Sequence, residues 1–538
     1  MGGWIGWSKS CAAPEKVTTM VSSLPAEFLD PHTPPEVVVT DQIRPRITDS
    51  TLGVPLGVPG PDLPSVPDPP RHALVTVGDS LTHGMSSGAV FHTNLSWPAL
   101  VARSLGVGLV VPAYGGPLDG LPLNIEALLR GVQGRFGDEL NVLEMVQLPF
   151  ELHSLADANE DYWERGDGSR TPRTDLRYEN VGIYGWDVRD CLSSTAARAM
   201  ARIASHPPHD DLLGAKPDND NDIAAASVLA PFGSAAAQID AVASHGHDGG
   251  IGTLVVMLGA NNALGSVVRK SVVWSGPGFQ DLDRKGAYTA WNPVHFQTEY
   301  AELVRQLLPV PARRVLLATV PHVTVAPIAT GVNPANPGEK WREGSRYFPY
   351  YTDPWIAEQD FRPDKNRNIT HQQARAIDSA IDQYNDAIQE HVRRARADGR
   401  DWHLVDLCGI LDGVAYRRYI DDPVASAAQQ DWQPYPLPAP IAGLDTRFYR
   451  SDETGRLQGG LFGLDAVHPT TAGYGVIAQA VLDVLNSAGV ASPGIDFTQL
   501  LAQDTLNSDP PALFTRIFTL LAPFLTRLAS APASTGVA

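Results

Sequence analysis

Ala73-Leu74-Val75-Thr76-Val77-Gly78-Asp79-Ser80-Leu81-Thr82 lies within the first fifth of a 538-residue chain. Its first five residues are apolar or β-branched, the composition of a strand buried on both faces. A Gly-Asp-Ser turn follows at the carboxyl end, where open α/β sheets hold their ligands. A serine in that place ordinarily closes a turn or caps a helix. Ser80 therefore takes a chemical meaning only from residues farther along the chain.

The same grammar recurs downstream. Val181 to Trp186 reads as a short strand running into a turn at Gly185, and Thr253 to Leu258 as a buried strand ending in Gly259-Ala260-Asn261-Asn262. Arg314 to Thr319 and Trp402 to Leu407 supply two more strands. Helices fall between them: Ser96 to Leu105 with Gly106 as its stop, Ile223 to Val242, Phe296 to Leu308, and Ala472 to Asn486. The clearest starts at a Thr370 cap, with Ile377, Ile381, Tyr384, Ile388 and Val392 at three- and four-residue spacing. Alternating strands and helices predict an α/β fold, a parallel sheet with helices on both faces in three α/β/α layers. The polar turns then gather at one edge of that sheet.

Boundaries follow from composition. Residues 1–71 read as an arm, β-like at Val37 to Thr40 and then interrupted by proline from Pro55 to Pro70, which denies both helix and central strand. Residues 72–488 read as the main domain, with loop insertions near 107–174, 191–250, 263–293, 320–370 and 409–462, as 45 prolines and 48 glycines imply. The aromatic-rich 320–370 segment is expected to pack on its own domain, with a substrate-facing lid as the sharper alternative. Residues 489–538 form a C-terminal segment whose apolar face over 512–528 suits packing on the domain or a dimer partner, and secondarily a lipid surface.

A net charge of −19 without a dense basic run argues against nucleic acid and anionic membranes. Three separated cysteines, Cys11, Cys191 and Cys408, suggest neither a disulfide framework nor a zinc site. The acidic residues around Asp210, Asp218 and Asp222 match no calcium loop and read as a solvated run. His322 follows a strand and reads either as a satisfied loop histidine or as part of the site mouth. Met1 to Pro14 has no signal-peptide pattern, so the default is cytoplasmic, with secretion left open and Met20 an alternative start. No stretch approaches the roughly 20 apolar residues of a membrane span.

Acyl transfer needs an activated hydroxyl, a base, a group that orients the base, and donors for the oxyanion. Asp465 and His468 stand three apart on one turn and can enter one site with Ser80, while Gly185 and Asn261 can supply oxyanion donors. These residues resemble the SGNH or GDSL hydrolases. The family's blocks occur in order as Gly78-Asp79-Ser80-Leu81, Asn180 to Gly185, Gly259-x-Asn261 and Asp465-x-x-His468. The resemblance implies a flavodoxin-like fold over about 72–488, with Ser80 as nucleophile, His468 as general base then acid, Asp465 orienting it, and Gly185 and Asn261 as oxyanion donors. It implies a serine esterase or lipase on small-molecule or lipid esters, without metal or cofactor. A carbohydrate O-deacetylase or an inactive scaffold that binds a ligand stays open. Position 262 is Asn where the family commonly has Asp, which removes a carboxylate that usually buttresses the third block. The absence of Gly-x-Ser-x-Gly argues against the ordinary α/β-hydrolase arrangement.

Overall fold

In the computed structural model, which describes residues 24–41, 56–60, 63–170, 175–206, 216–421 and 434–518, the quoted stretch forms β1 (His72–Gly78) and one helical turn, Ser80–His83. Leu74, Val75 and Val77 are fully buried, each worth about 1.5–3 kcal/mol of transfer free energy. β1 pairs in parallel with β2 (Ile251–Met257), β2 with β3 (Ala312–Ala318), and β3 with β4 (Trp402–Val405). The register sets Val77 beside Val256, and Val256 beside Leu317. β4 is shorter than the apolar run suggests because Asp406 accepts from Gly409 N (2.9 Å) and starts the helix Leu407–Gly413.

The free edge of β1 is not bare. Thr76 N donates to Glu179 O (2.9 Å), and Val181 N and Ile183 N donate to Thr76 O (2.9 Å) and Gly78 O (3.1 Å). This parallel segment carries the 180–186 turn to the carboxyl end of β1.

Two groups of helices flank the sheet. α1 (Trp97–Leu105) packs on α6 (Thr471–Ser487); α4 (Pro293–Leu307) packs on α5 (His371–Ala397) and α2 (Gln238–His247). α3 (Asn261–Arg269) leaves the end of β2. α5 begins at a reciprocal cap, Gln373 N to Thr370 Oγ1 (3.3 Å) and Thr370 N to Gln373 Oε1 (3.0 Å), and the five spaced apolar residues that predicted it are all fully buried. No helix among the described residues is long and apolar enough to cross a membrane.

Several expectations change. Val37 to Thr40 is not a strand: Val38 N and Thr40 N donate to Gln383 Oε1 and Ser379 Oγ of α5, so helix side chains replace a sheet partner. Ile223 to Val242 is two helices, Asp220–Leu229 and α2, because Pro231 and Gly233 at a positive φ of 117° break the run. The region near 107–174 carries two helices of its own, Ile125–Phe136 and Val142–Glu164. The acidic run is not simply solvated: Asp220 is buried and accepts from Tyr184 Oη (2.7 Å), and Asp222 pairs with Arg202 (2.9 Å). Asp210 and the rest of 207–215 lie outside the described residues, as do 1–23 with the leader expectation and 42–55 of the arm.

In the aromatic segment Tyr347, Phe348, Tyr351 and Phe361 are buried in their own domain. At the C-terminal end Leu513, Phe514, Ile517 and Phe518 are buried, with Phe514 and Phe518 against Phe448. That part of the 512–528 face is thus covered within the chain; residues 519–528 lie outside the described ones.

Gly78 joins the sheet to the Ser80 turn. A Cβ there would strike the Met257 carbonyl of β2 and the Thr82 side chain, so Gly78→Ala is expected to cost about 1–3 kcal/mol of overpacking. A lowered thermal midpoint checks this; an unchanged one contradicts the close approach.

Candidate active site

The Ser80 turn is held by its neighbour. Asp79 is buried at the N-cap, and its Oδ1 accepts from Leu81 N (3.1 Å). Burial pushes its carboxyl up to about 6, against the opposing pull of that hydrogen bond, of the His468 charge and of the Ala260 backbone. Ser80 itself is 5% exposed and opens on a cavity.

Asp465 and His468 share one tight loop. His468 Nδ1 lies 2.8 Å from Asp465 Oδ2, while His468 N and Val467 N both donate to Oδ1 (2.9 Å). A fourth donor comes from far away in sequence: Gly88 N reaches Oδ2 (2.7 Å) from the hairpin that follows the Ser80 turn. Burial alone would raise the Asp465 carboxyl. The His468 charge and these hydrogen bonds overcome it and hold the group below the usual carboxylate range. In the neutral imidazole, Nδ1–H is committed to the carboxylate and the Nε2 lone pair is the free one. Between the two residues Ala466 sits in the left-handed region (φ 62°), a conformation that costs an L-residue about 1–2 kcal/mol. Its backbone is tied by Ala466 N to Gly463 O (3.1 Å) and Ile328 N to Ala466 O (2.8 Å).

The 180–186 turn lies against the Ser80 turn. Asn180 Nδ2 donates to Thr82 O (2.7 Å), and its Oδ1 accepts from Gly182 N (3.0 Å). A side chain at Gly182 would run into the backbone of Thr82 and His83. His83 is buried, and desolvation holds it neutral, its pKa lowered to about 3. Its Nδ1 accepts from Tyr184 N (3.2 Å), so Nε2 keeps the proton and donates to Tyr114 Oη (3.0 Å). Gly185 is exposed with φ 75°, a left-handed turn residue clasped by Asn221, whose Nδ2 donates to Tyr184 O and whose Oδ1 accepts from Trp186 Nε1 (3.2 Å). Asn261, the first residue of α3, donates from Nδ2 to Trp186 O (2.8 Å), fixing its amide beside this turn with its second N–H uncommitted among the described residues. Asn262 points away: it is fully buried, and its Oδ1 accepts from Val188 N (3.4 Å), so the position still braces the turn without a carboxylate.

Ser80 and His468 line the same open cavity, whose empty space of about 850 Å³ includes solvent at its mouth. Among the described residues no hydrogen bond joins Ser80 Oγ to the imidazole; such contacts commonly close only around substrate. Gly185 instead faces a neighbouring polar cleft that also holds Trp186, Arg198 and Asn221.

His322 also lines the cavity and is fully buried. Its Nδ1 lies 3.0 Å from Asp412 Oδ1 and its Nε2 3.1 Å from Asp382 Oδ1. Burial lowers its pKa, but the acids around it, Asp412 foremost, raise it well above the usual histidine value. Both readings of His322 thus hold at once: it is satisfied and it lines the site. With Cys408 and Asp412 it forms the one cluster of metal-ligating atoms among the described residues, within 4.8 Å of one another. An imidazolium donating from both nitrogens has no lone pair for a metal, and the cluster reads as an ion pair.

The chain thus brings Asp465, His468 and Ser80 to one place and Asn261 to the turn bearing Gly185. Sequence reasoning missed Gly88, His83 and Asn221. His83 alone carried a signal, one helical turn beyond Ser80. No protein-family model matches the chain, and no curated protein and no solved structure matches it either.

Asp79 yields a pH prediction. Its folded pKa of about 6 lies above the unfolded value of roughly 3.9, so the stability it contributes is complete below about pH 4 and lost as pH rises through 6. Asp79→Asn keeps the acceptor for Leu81 N without the buried charge. It should be more stable than the parent by about 1–3 kcal/mol at pH 7–8, with the gap closing below pH 4. A gap independent of pH contradicts a buried, titrating Asp79.

Proposed function

We propose that the chain is a serine ester hydrolase of the SGNH type. The observation that carries this reading is the Asp465–His468 dyad, its carboxylate saturated by four hydrogen-bond donors, opening with Ser80 on one cavity. The sheet gives further support. With the 179–183 segment outside β1, the five parallel positions follow the order 2-1-3-4-5, that of flavodoxin-like sheets.

In this mechanism His468 Nε2 takes the Ser80 Oγ proton as Oγ attacks the ester carbonyl carbon. Asp465 holds the imidazole in the required tautomer and stabilises the imidazolium. The oxyanion develops toward the backbone N–H groups of Ser80 and Gly185 and the uncommitted N–H of Asn261 Nδ2. The C–O bond then breaks, and His468 returns the proton to the leaving alcohol. Water, deprotonated by the same imidazole, attacks the acyl carbon; the bond to Ser80 Oγ then breaks, His468 returns the proton to Oγ, and the acid leaves.

Hydrolysis of p-nitrophenyl esters by the parent and by Ser80→Ala tests the reading. Parent turnover that falls by about a thousandfold or more in the variant is expected; equal rates, or none in the parent on any ester, contradict it. Asn261→Ala should lower kcat about a hundredfold or more, the cost of one oxyanion donor. An unchanged kcat removes Asn261 from the site.

A further inference from the structure

The cavity that Ser80 and His468 share is apolar on nearly every other side. Its walls come from separate parts of the chain: Leu264 on α3, Leu407 and Leu411 on the helix after β4, Val414 beyond it, Phe462 ahead of the Asp465 loop, and Ile477 on α6. Two further polar side chains reach it, and both have their protons committed elsewhere. His322 donates to Asp412 and Asp382, and Thr446 Oγ1 donates to Val414 O (3.2 Å) while accepting from Tyr416 N (2.9 Å). Among the described residues, the only side-chain donor of the lining left uncommitted is therefore the Ser80 hydroxyl, and beyond the two reacting groups a single Thr446 Oγ1 lone pair is the only acceptor capacity left on a side chain.

A ligand group entering such a space surrenders its water without replacement hydrogen bonds. A sugar ring or a charged headgroup is disfavoured there, whereas an alkyl chain gains from every methylene buried. The volume also exceeds what the acetyl group of a short ester fills. We infer that the substrate is an ester bearing an extended alkyl chain, and that this chain lies in the cavity walled by Leu407, Leu411, Val414 and Ile477. The inference rests on the esterase reading and narrows it from esters in general to apolar-chain esters, away from acetylated carbohydrates.

A cavity touching both Ser80 and His468 borders the acyl carbon and the leaving oxygen alike, so the chain can sit on either half of the ester. Two substrate series separate the halves, both below their micellar concentrations: p-nitrophenyl acetate to decanoate, and methyl to octyl acetate. In one series kcat/KM should climb with chain length by up to about fourfold per methylene, and by at least about a hundredfold from the shortest member to the eight-carbon one. The series that climbs identifies the half that enters. Leu411→Trp, which fills the cavity, should cut the ratio of long- to short-chain kcat/KM at least tenfold, and Leu411→Phe should do so to a smaller degree if the larger ring prevents folding. Ser80-dependent turnover that is flat or falling with length in both series overturns the inference and leaves the esterase reading standing. A folded Leu411 variant with unaltered selectivity also overturns it. The absence of Ser80-dependent turnover on every ester overturns both.

Discussion

The arrangement depends on one half-buried carboxylate. Asp465 accepts four hydrogen bonds, three from its own loop and one from Gly88. A carboxylate withdrawn from water is tolerable only with such compensation, and here the compensation is structural. It ties the 463–468 loop to the hairpin that leaves the Ser80 turn, across 377 residues of sequence. The imidazole is oriented by the same carboxylate, so the loop and the His468 ring are secured by one group. Ala466, held left-handed between them, is the local strain this geometry requires.

The second half of the site is built by close approach rather than by charge. Gly182 lets the 180–186 turn lie on the backbone of Thr82 and His83, and Asn180, His83 and Asn221 then fasten it by hydrogen bonds. Each of these groups is uncharged, or in the case of His83 held neutral by burial, so the turn keeps its position without a buried ion at the place where an oxyanion would form. Asn261 joins the assembly through the Trp186 carbonyl. Behind the cavity, the His322 imidazolium between Asp382 and Asp412 fixes the segment after β3 to α5 and to the helix after β4, which carries two of the apolar walls.

Much of this was legible in the chain for local reasons. Buried strands announce themselves as continuous apolar runs, and α5 by a cap and a strict spacing, so the α/β architecture and its parallel sheet could be read directly. Ser80, Asp465 and His468 were readable as candidates because their residue types and the three-residue spacing carry chemistry. Illegible were the features made by distant meetings. Nothing near Gly88 or Asn221 signals a role, since each acts on a residue brought to it by the fold. Val37 to Thr40 has strand composition, yet the sheet edge it needs is elsewhere and α5 side chains take its donors. The regions expected as loop insertions conceal helices, because proline and glycine at their margins masked apolar faces inside. The protonation of His322 depends on Asp382 and Asp412, 60 and 90 residues away.

The central claim is that Asp465 and His468 activate Ser80 as a nucleophile. Intact-mass analysis after treatment with an alkyl fluorophosphonate tests it most directly, because the reagent labels a serine only when a base activates it. The account predicts a single stoichiometric adduct that maps to Ser80, is absent in Ser80→Ala, and forms far more slowly in Asp465→Asn. An adduct on another residue, or labelling of Ser80 at the same rate without the Asp465 carboxylate, would contradict it.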